Sequence, residues 1–186
     1  MDESQLIIAC KKQNRNAQKA LYETYAPKMM GVCMRYCKNN ETARDLLHDG
    51  FIQIFTQIHS YSGKGSFEGW LRRIFVNLVL ENFRREKRKN KFVEDFERCE
   101  SEMMYMPEDS ILDVEDISRE MLLELIRELP NGYRTVFNLF IFEEMSHKEI
   151  AAQLGINEAA SRSQYSRAKA LLQKKVQGIL QRNKAL

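Results

Sequence analysis

The chain has 186 residues, a net charge of +3 and 44% hydrophobic residues, which is enough for one large or two small folded domains. Only 3 prolines and 8 glycines stand among many Leu, Ala, Glu, Lys and Arg, so the composition excludes wholesale disorder and favours an all-helical protein. No stretch approaches the ~20 apolar residues of a membrane span and no cleavage-site pattern follows the N-terminus, so we expect a cytoplasmic protein without membrane insertion.

Cysteine and histidine spacing bears on metal binding and catalysis. Cys33 and Cys37 lie one helical turn apart and His48 follows, but structural zinc sites usually have two close ligand pairs and this sequence has one. The four cysteines form no disulfide framework, and the motifs HExxH and GxxxxGK[ST] are absent. We therefore expect buried thiols rather than a metal site, no cofactor, and no enzymatic activity.

Charge is distributed unevenly along the chain. Residues 90–117 contain ten acids and two bases, whereas the remaining residues hold 27 Lys and Arg against 16 Asp and Glu. The acidic stretch lacks sustained helical periodicity and contains Pro107, so we predict domains at 1–90 and 117–186 joined by an acidic flexible linker at 91–116. Basic domains attract polyanions through counterion release, which makes nucleic acid the leading partner, although a solvated charged surface has the same pattern.

Residues 40–58 have the spacing of an amphipathic helix. The predicted core stripe comprises Ala43, Leu46, Leu47, Phe51, Ile54, Phe55 and Ile58, with Gly50 on the same side. The opposite face carries Asp45, His48, Asp49 and Ile52. An isoleucine among acids, facing away from the core, suggests a contact surface for another protein, although one exposed isoleucine is also ordinary.

The spacing of apolar residues in 67–91 predicts a long helix, which follows a glycine-containing loop. The predicted apolar face holds Phe67, Trp70, Leu71, Ile74, Phe75, Leu78, Val79 and Phe83, and a second stripe holds Arg73, Asn77, Leu80 and Arg84. Six Lys or Arg, including Arg85, lie among residues 84–91. The preceding loop contains Lys64 and has an aromatic residue at each end, which suits stacking of unpaired bases beside a tracked phosphate backbone. Most aromatics here belong to the core, and Tyr61 and Trp70 are candidates for both roles.

The region after the linker predicts two helices separated by Pro130. The first is expected to bury Ile117, Met121, Leu122, Leu125, Ile126 and Leu129. The second has Tyr133, Val136, Phe137, Phe140 and Ile141 on one face.

The stretch that follows has the pattern of a helix-turn-helix. Ser146 and Glu149 form a capping box, Gly155 permits the turn, and Asn157 can cap the second helix. After Glu158 the chain has seven Lys and Arg and no acid. The predicted inner face holds Ser161, Tyr165, Ala168, Leu172 and Val176, while Ala159, Arg162, Ser163, Ser166, Arg167 and Lys169 lie on the outer face or its flanks. Small residues let the backbone approach a groove and arginines reach phosphates or guanine edges, so this pattern indicates a DNA recognition helix.

Three blocks, "ETARDLLHDGFIQIF", "GSFEGWLRRIFVNLVLENFRR" and "ELPNGYRTVFNLFIFEEMSHKEIAAQLGINEAASRSQYSRAKALL", together resemble a bacterial sigma factor. More narrowly, the chain is similar to the small extracytoplasmic-function type, which keeps only conserved regions two and four. The resemblance covers nearly the whole chain apart from the linker. It implies a promoter-specificity subunit, monomeric when free, that binds core RNA polymerase and opens promoter DNA, and it leaves open whether an anti-sigma protein binds it.

The resemblance also implies roles for particular residues. The residues implied to dock on polymerase are Asp45, Leu46, His48, Asp49 and Ile52, with Phe51 on the same helix. The residues implied to open and read the minus-ten element are Tyr61, Lys64, Trp70, Arg73, Asn77, Arg84 and Arg85. The residues implied to read the minus-thirty-five element are Arg162, Ser163, Ser166, Arg167 and Lys169.

The sequence departs from the family pattern at a few of these positions. His48 and Asp49 stand where the family usually has Gln and Glu. At 158–164, "EAASRSQ" replaces the usual Glu-Gly-Thr-Val-Lys-Ser-Arg, which puts Ser161 where a branched apolar residue is expected. We expect the Ser161 hydroxyl to bond back to the preceding helical turn.

Two other classes of protein remain as alternatives. A conventional repressor or activator would use the helix-turn-helix as a dimer on a palindrome, yet the sequence has no effector domain or dimerisation heptads, and the helix at 67–91 would be unexplained. A nucleic-acid enzyme would need a carboxylate or metal cluster, and none is evident.

Overall fold

A computed structural model describes residues 2–88 and 117–184, and every regular element within them is helical, as the sequence predicted. The helices are α1 (Glu3–Lys11), α2 (Arg15–Tyr36), α3 (Asn40–Gln57), α4 (Phe67–Arg88), α5 (Arg119–Arg127), α6 (Asn131–Ile141), α7 (His147–Leu154) and α8 (Glu158–Lys184), with a 3₁₀ turn at Ile58–Ser60. The chain divides into two compact units, Met1–Glu81 and Asn82–Leu186. The predicted linker at 91–116 lies outside the described residues, so the boundaries at 90 and 117 stay predictions.

Side-chain caps fix where the first helices begin. The carboxylate of Asp2 accepts a hydrogen bond from the backbone N–H of Gln5, whose side chain accepts one from the Asp2 backbone, so α1 starts with a capping box. Asn14 and Asn39 cap α2 and α3 in the same way through their side-chain oxygens.

The core of the first unit includes buried side chains of α2, α3 and α4, and α3 meets α4 closely. The predicted stripe of α3 is buried from Ala43 to Ile58, apart from Phe55, which is half-buried. Gly50 lies in this stripe, and a Cβ atom there would stand 2.0 Å from the Phe75 ring of α4. Phe75 in turn packs edge-on against Phe51 at 5.9 Å between ring centroids. Glycine at position 50 therefore lets the aromatic side of α4 approach α3.

The buried side of α4 is broader than the sequence predicted. Leu80, which shares the second stripe with Arg73 and Asn77, is only 2% exposed, and Val76 is also buried. The buried side rotates along this 22-residue helix, from the face of Phe67 and Leu71 toward that of Leu80. A single periodic stripe assumes one buried face along the whole helix, and α4 does not have one.

The second unit has its own buried core. One cluster in it comprises Leu125, Ile126, Leu129, Tyr133, Ala168, Leu172 and Val176. Val136, Leu139, Ile150 and Leu154 are buried as well. Met121 and Leu122, which the sequence placed in this core, are exposed, as is Ile141. They lie in the first turn of α5 and at the last residue of α6, where the helix ends extend past the core cluster.

A buried arginine closes the turn between α5 and α6. The Nη1 atom of Arg134 donates to the backbone oxygens of Arg127 at 2.7 Å and Leu129 at 3.3 Å. Arg127 is the last residue of α5, and the last carbonyls of a helix have no intrahelical N–H from which to accept, so the guanidinium donates to them instead. This contact was not visible from hydrophobic periodicity, which treats an arginine as a surface residue.

Candidate nucleic-acid and protein interfaces

The outer face of α3 combines two acids with an exposed apolar side chain. Asp45, His48, Asp49 and Ile52 are all exposed, and Ile52 retains 54% of its accessible surface. Leu46, expected on the same surface, is 6% exposed and belongs to the core, and Phe51 is buried with it. The α3 face, defined as the four exposed side chains, is therefore a surface that a partner can reach, with Leu46 and Phe51 supporting it from beneath.

An aromatic cluster holds the loop that precedes α4. The Tyr61 ring lies 5.0 Å from Phe67 and 5.6 Å from Trp70, and Phe67 stacks on Trp70 with planes 17° apart. The Tyr61 hydroxyl donates to the backbone oxygen of Gly65 at 2.8 Å, which ties the two ends of the loop together. Tyr61 is 9% exposed, so in this conformation its ring supports the loop and offers no free face for base stacking.

The loop itself is exposed from Ser62 to Ser66, with Lys64 at its centre. Gly63 and Gly65 both have φ of +79°, a conformation that L side chains rarely adopt. The glycines therefore set the loop's shape, and the Tyr61–Gly65 bond closes it.

One side of α4 carries the remaining candidate residues for the minus-ten element. Arg73, Asn77 and Arg84 are exposed and Trp70 is half-buried, and their spacing puts all four on one side of the helix. At 1.5 Å per residue this row spans about 21 Å, the length of several nucleotides. Arg85 is exposed on a different side, where its Nη2 donates to Asn82 Oδ1 at 2.9 Å.

The helix-turn-helix is built by the capping residues that the sequence predicted. Glu149 accepts from the Ser146 backbone N–H at 2.8 Å and its own N–H donates to the Ser146 hydroxyl, so the capping box starts α7. The Ser146 hydroxyl also donates to the Glu149 carboxylate at 2.6 Å, and this bond first, then the one from the Ser146 N–H, holds the pKa of Glu149 below its ordinary value. Gly155 ends α7 with φ 63°, and Asn157 Oδ1 accepts from the Ala160 N–H at 2.7 Å to start α8. The expectations for all three caps are confirmed.

The outer face of α8 presents small side chains between two arginines. Ala159, Ser163, Ser166 and Lys169 are exposed. Arg162 is exposed and its Nη2 lies 2.6 Å from Glu158 Oε1. Arg167, predicted to face outward, is half-buried, with Nη1 3.5 Å from the Tyr133 hydroxyl. The two arginines therefore differ: Arg162 stands in solvent beside an acid, and Arg167 lies against α6.

Ser161 binds a different partner from the one expected. Its hydroxyl oxygen lies 2.9 Å from Nδ1 of His147, the first residue of α7, and the only backbone carbonyl bond from Ser161 described is that of its N–H to Asn157. The predicted bond back to the preceding turn is wrong because the His147 ring, stacked on Phe140 with planes 15° apart, places a nitrogen within reach. His147 and Ser161 are 14 residues apart in the chain, so the spacing of neighbouring residues could not predict this contact.

Among residues 2–88 and 117–184, no three His, Cys, Asp or Glu side chains are grouped to hold a metal ion. Cys33 is buried, which raises the pKa of its thiol to about 12. No helix in the described part of the chain is long and apolar enough to cross a membrane.

Comparison with known proteins matches both units to one family. Residues 21–89 match Sigma-70 region 2, and residues 119–172 match Sigma-70 region 4. The ECF RNA polymerase sigma factor SigW of Bacillus subtilis is 27% identical over 93% of this chain and 96% of its own length. The RNA polymerase sigma-H factor of Pseudomonas aeruginosa is 25% identical over 96% of this chain and 95% of its own length. The sigma factor RpoE of Bartonella quintana, solved with the anti-sigma factor NepR, is 20% identical over 84% of this chain and 94% of that chain, with a TM-score of 0.46.

Proposed function

This chain belongs to the extracytoplasmic-function sigma factors, with regions two and four of the sigma-70 family, and we infer from this that it is the promoter-specificity subunit of RNA polymerase. It binds core polymerase, recognises promoter DNA and helps to open it for transcription initiation. Its role is that of a DNA-binding regulatory subunit acting in the cytoplasm, and it performs no bond-making step itself.

The two units have different proposed roles. Region two docks on polymerase through the α3 face, whose acids and Ile52 suit a partner surface with basic and apolar groups. The loop at 61–66 and the exposed side of α4 meet the minus-ten element. Region four reads the minus-thirty-five element through α8, with the segment at 91–116 joining the two.

The observation that best supports this proposal is the order of three different surfaces along one chain. An acidic and apolar helix face, a basic helix side beside an exposed loop, and a capped helix-turn-helix follow one another, and the second helix of the last has no acid after its first residue, Glu158. A repressor needs only the last of these surfaces. A subunit that must dock on polymerase, open promoter DNA and read its sequence needs all three surfaces.

The energetics of opening require several contacts to act together. Unstacking a base step costs a few kcal/mol, while stacking one base on an aromatic ring returns about 1–3 kcal/mol. One captured base therefore roughly offsets one unstacked step. The row from Trp70 to Arg84 adds phosphate contacts along the opened strand, and docking on polymerase makes those contacts intramolecular.

The test is transcription with purified components. Core RNA polymerase should give a run-off transcript of defined length from a cognate promoter only when this chain is added, and the chain should be retained by immobilised core polymerase. Binding to a palindromic DNA site as a dimer, without retention on polymerase, would contradict the proposal and favour a conventional repressor.

A further inference from the structure

Helix α1 lies outside the residues that match region two, which begin at residue 21, yet it packs onto that region. Its apolar side buries Leu6, Ile7 and Cys10. At its start, the Tyr25 hydroxyl of α2 donates to Glu3 Oε2 at 2.5 Å. Helix α1 is therefore fixed at its N-terminal end by α2, and its C-terminal end lies beside the 3₁₀ turn that leads into the loop.

The last residue of α1 binds the loop directly. The Nζ atom of Lys11 donates to the backbone oxygen of Tyr61 at 2.8 Å, across 50 residues of sequence. The ammonium is partly buried, and a hydrogen bond from a charged donor is roughly twice as strong as one between neutral groups. The contact fixes the first residue of the loop at 61–66.

The other bonds described for this loop come from within it or from its immediate neighbours. Tyr61 bonds Gly65, and the Ser66 hydroxyl accepts from the Gly69 N–H at 3.0 Å, capping the start of α4. Among the described residues, Lys11 is thus the one hydrogen-bond donor to the loop from another helix. Between these anchors five consecutive residues are exposed, so the anchors decide which shape the loop presents to DNA.

We propose that Lys11 is a positioning residue for promoter opening: from α1 it holds the loop at 61–66 in the shape that receives the unpaired strand. The proposal rests on the function proposed above for the loop. The ammonium has three donors, of which Tyr61 takes one, so Lys11 also keeps positive charge beside the entry to the loop.

The experiment compares Lys11→Met with Lys12→Met in holoenzyme assembled from the full chain and core polymerase. Lys12 is the adjacent residue and its side chain is exposed, so the two variants lose the same charge and only one loses the contact. Core-polymerase affinity, affinity for the closed promoter complex, and permanganate reactivity of the minus-ten thymines are measured for each. Lys11→Met should open the promoter about tenfold less well, the loss expected for one hydrogen bond to a charged group, with docking on polymerase unchanged. Lys12→Met should open like the wild type.

Rescue and stability separate this role from a general loss of folding. Lys11→Arg keeps a charged donor and should recover most of the opening, and melting of each free variant is recorded in parallel. Opening by Lys11→Met at the wild-type level, or an equal deficit in Lys12→Met, would overturn the proposal. A wild-type holoenzyme that opens no promoter would instead count against the proposed function.

Discussion

Nδ1 of His147 lies 2.9 Å from the hydroxyl oxygen of Ser161, and this partly buried hydrogen bond joins the two helices of the helix-turn-helix. Ser161 is fully buried, and the one partner described for its hydroxyl is this nitrogen. A buried hydroxyl that fails to donate costs free energy, so the O–H donates to Nδ1 and the imidazole carries its proton on Nε2. A polar contact thus stands where the family pattern has an apolar one.

This geometry predicts that the helix-turn-helix weakens at mildly acidic pH. Burial first, and the positive charge of Arg162 second, lower the pKa of His147 from its ordinary value of 6.5, while Glu158 opposes the shift. Below that ordinary value the unfolded chain binds a proton that the folded domain does not, so stability is lost as the pH falls from about 6.5. Once corrected for the intrinsic rate, which itself falls as the pH falls in this range, hydrogen exchange of α7 and α8 should therefore accelerate from about pH 7 to pH 5.5.

His147→Gln provides the control for this prediction, since an amide does not titrate. The excess acceleration should be absent in that variant. An identical pH dependence in the two proteins would show that another group is responsible.

Gln164 gives a prediction about stability. It lies on α8, is 2% exposed, and neither its amide oxygen nor its amide nitrogen has a hydrogen-bond partner among the residues that the structure describes. An unpaired buried polar group costs about 1–3 kcal/mol, so Gln164→Met, of similar length and apolar, should stabilise the second unit by about 1 kcal/mol. Denaturant unfolding measures this, with exposed Gln153→Met as the control that should leave stability nearly unchanged. Destabilisation by Gln164→Met would indicate a bound water that satisfies the amide.

The sequence was sufficient to predict those structural features that depend on residues close together in the chain. The α3 stripe, the capping box at Ser146 and the left-handed Gly155 each depend on residues within one or two helical turns, and each was confirmed. The contacts that sequence reasoning missed join distant residues: Lys11 to Tyr61, and His147 to Ser161. Hydrophobic periodicity also cannot identify a buried polar group such as Gln164, because burial there follows from how the helices cross.

Substitutions on the α3 face are predicted to impair docking on polymerase. Asp49 and Ile52 are exposed opposite a complete core stripe, so replacing both by Arg should weaken binding to core polymerase while helix content and melting stay near the wild type. Surface substitutions usually change stability by less than about 0.5 kcal/mol. Arg44→Asp, an exposed change on the same helix, serves as a comparison. Unchanged affinity of the double variant would remove this face from the interface.

Asn77 is predicted to act after docking. It is exposed in the row between Arg73 and Arg84, and its amide can both donate to and accept from an unpaired base. Asn77→Ala should reduce permanganate reactivity of the minus-ten region more than it reduces formation of the initial complex. Asn16→Ala, which replaces an exposed asparagine on α2, provides a comparison that should open normally. Equal opening by wild type and Asn77→Ala would assign Asn77 no role in base contact.

The two arginines of α8 are predicted to contact DNA differently. Arg162 is exposed beside Glu158, and we expect it to bind a phosphate, while Arg167 is expected to read a base edge. To reach DNA, Arg167 must leave the Tyr133 hydroxyl, a contact at 3.5 Å that is close to the limit of a hydrogen bond. Tyr133→Phe keeps the ring and removes that competing contact, so it should leave base preference intact and not weaken binding.

Binding to single-base promoter variants at several salt concentrations distinguishes these roles. Arg167→Ala should cost about 1–3 kcal/mol and relax preference at one position of the upstream element. Arg162→Ala should lower affinity evenly across sequences and reduce the salt slope by about one. Arg182→Ala, exposed about 22 Å further along the same helix, removes an equal charge and should alter neither preference nor affinity appreciably. If neither Arg162→Ala nor Arg167→Ala changes binding beyond the Arg182 control, α8 is not the DNA-reading helix.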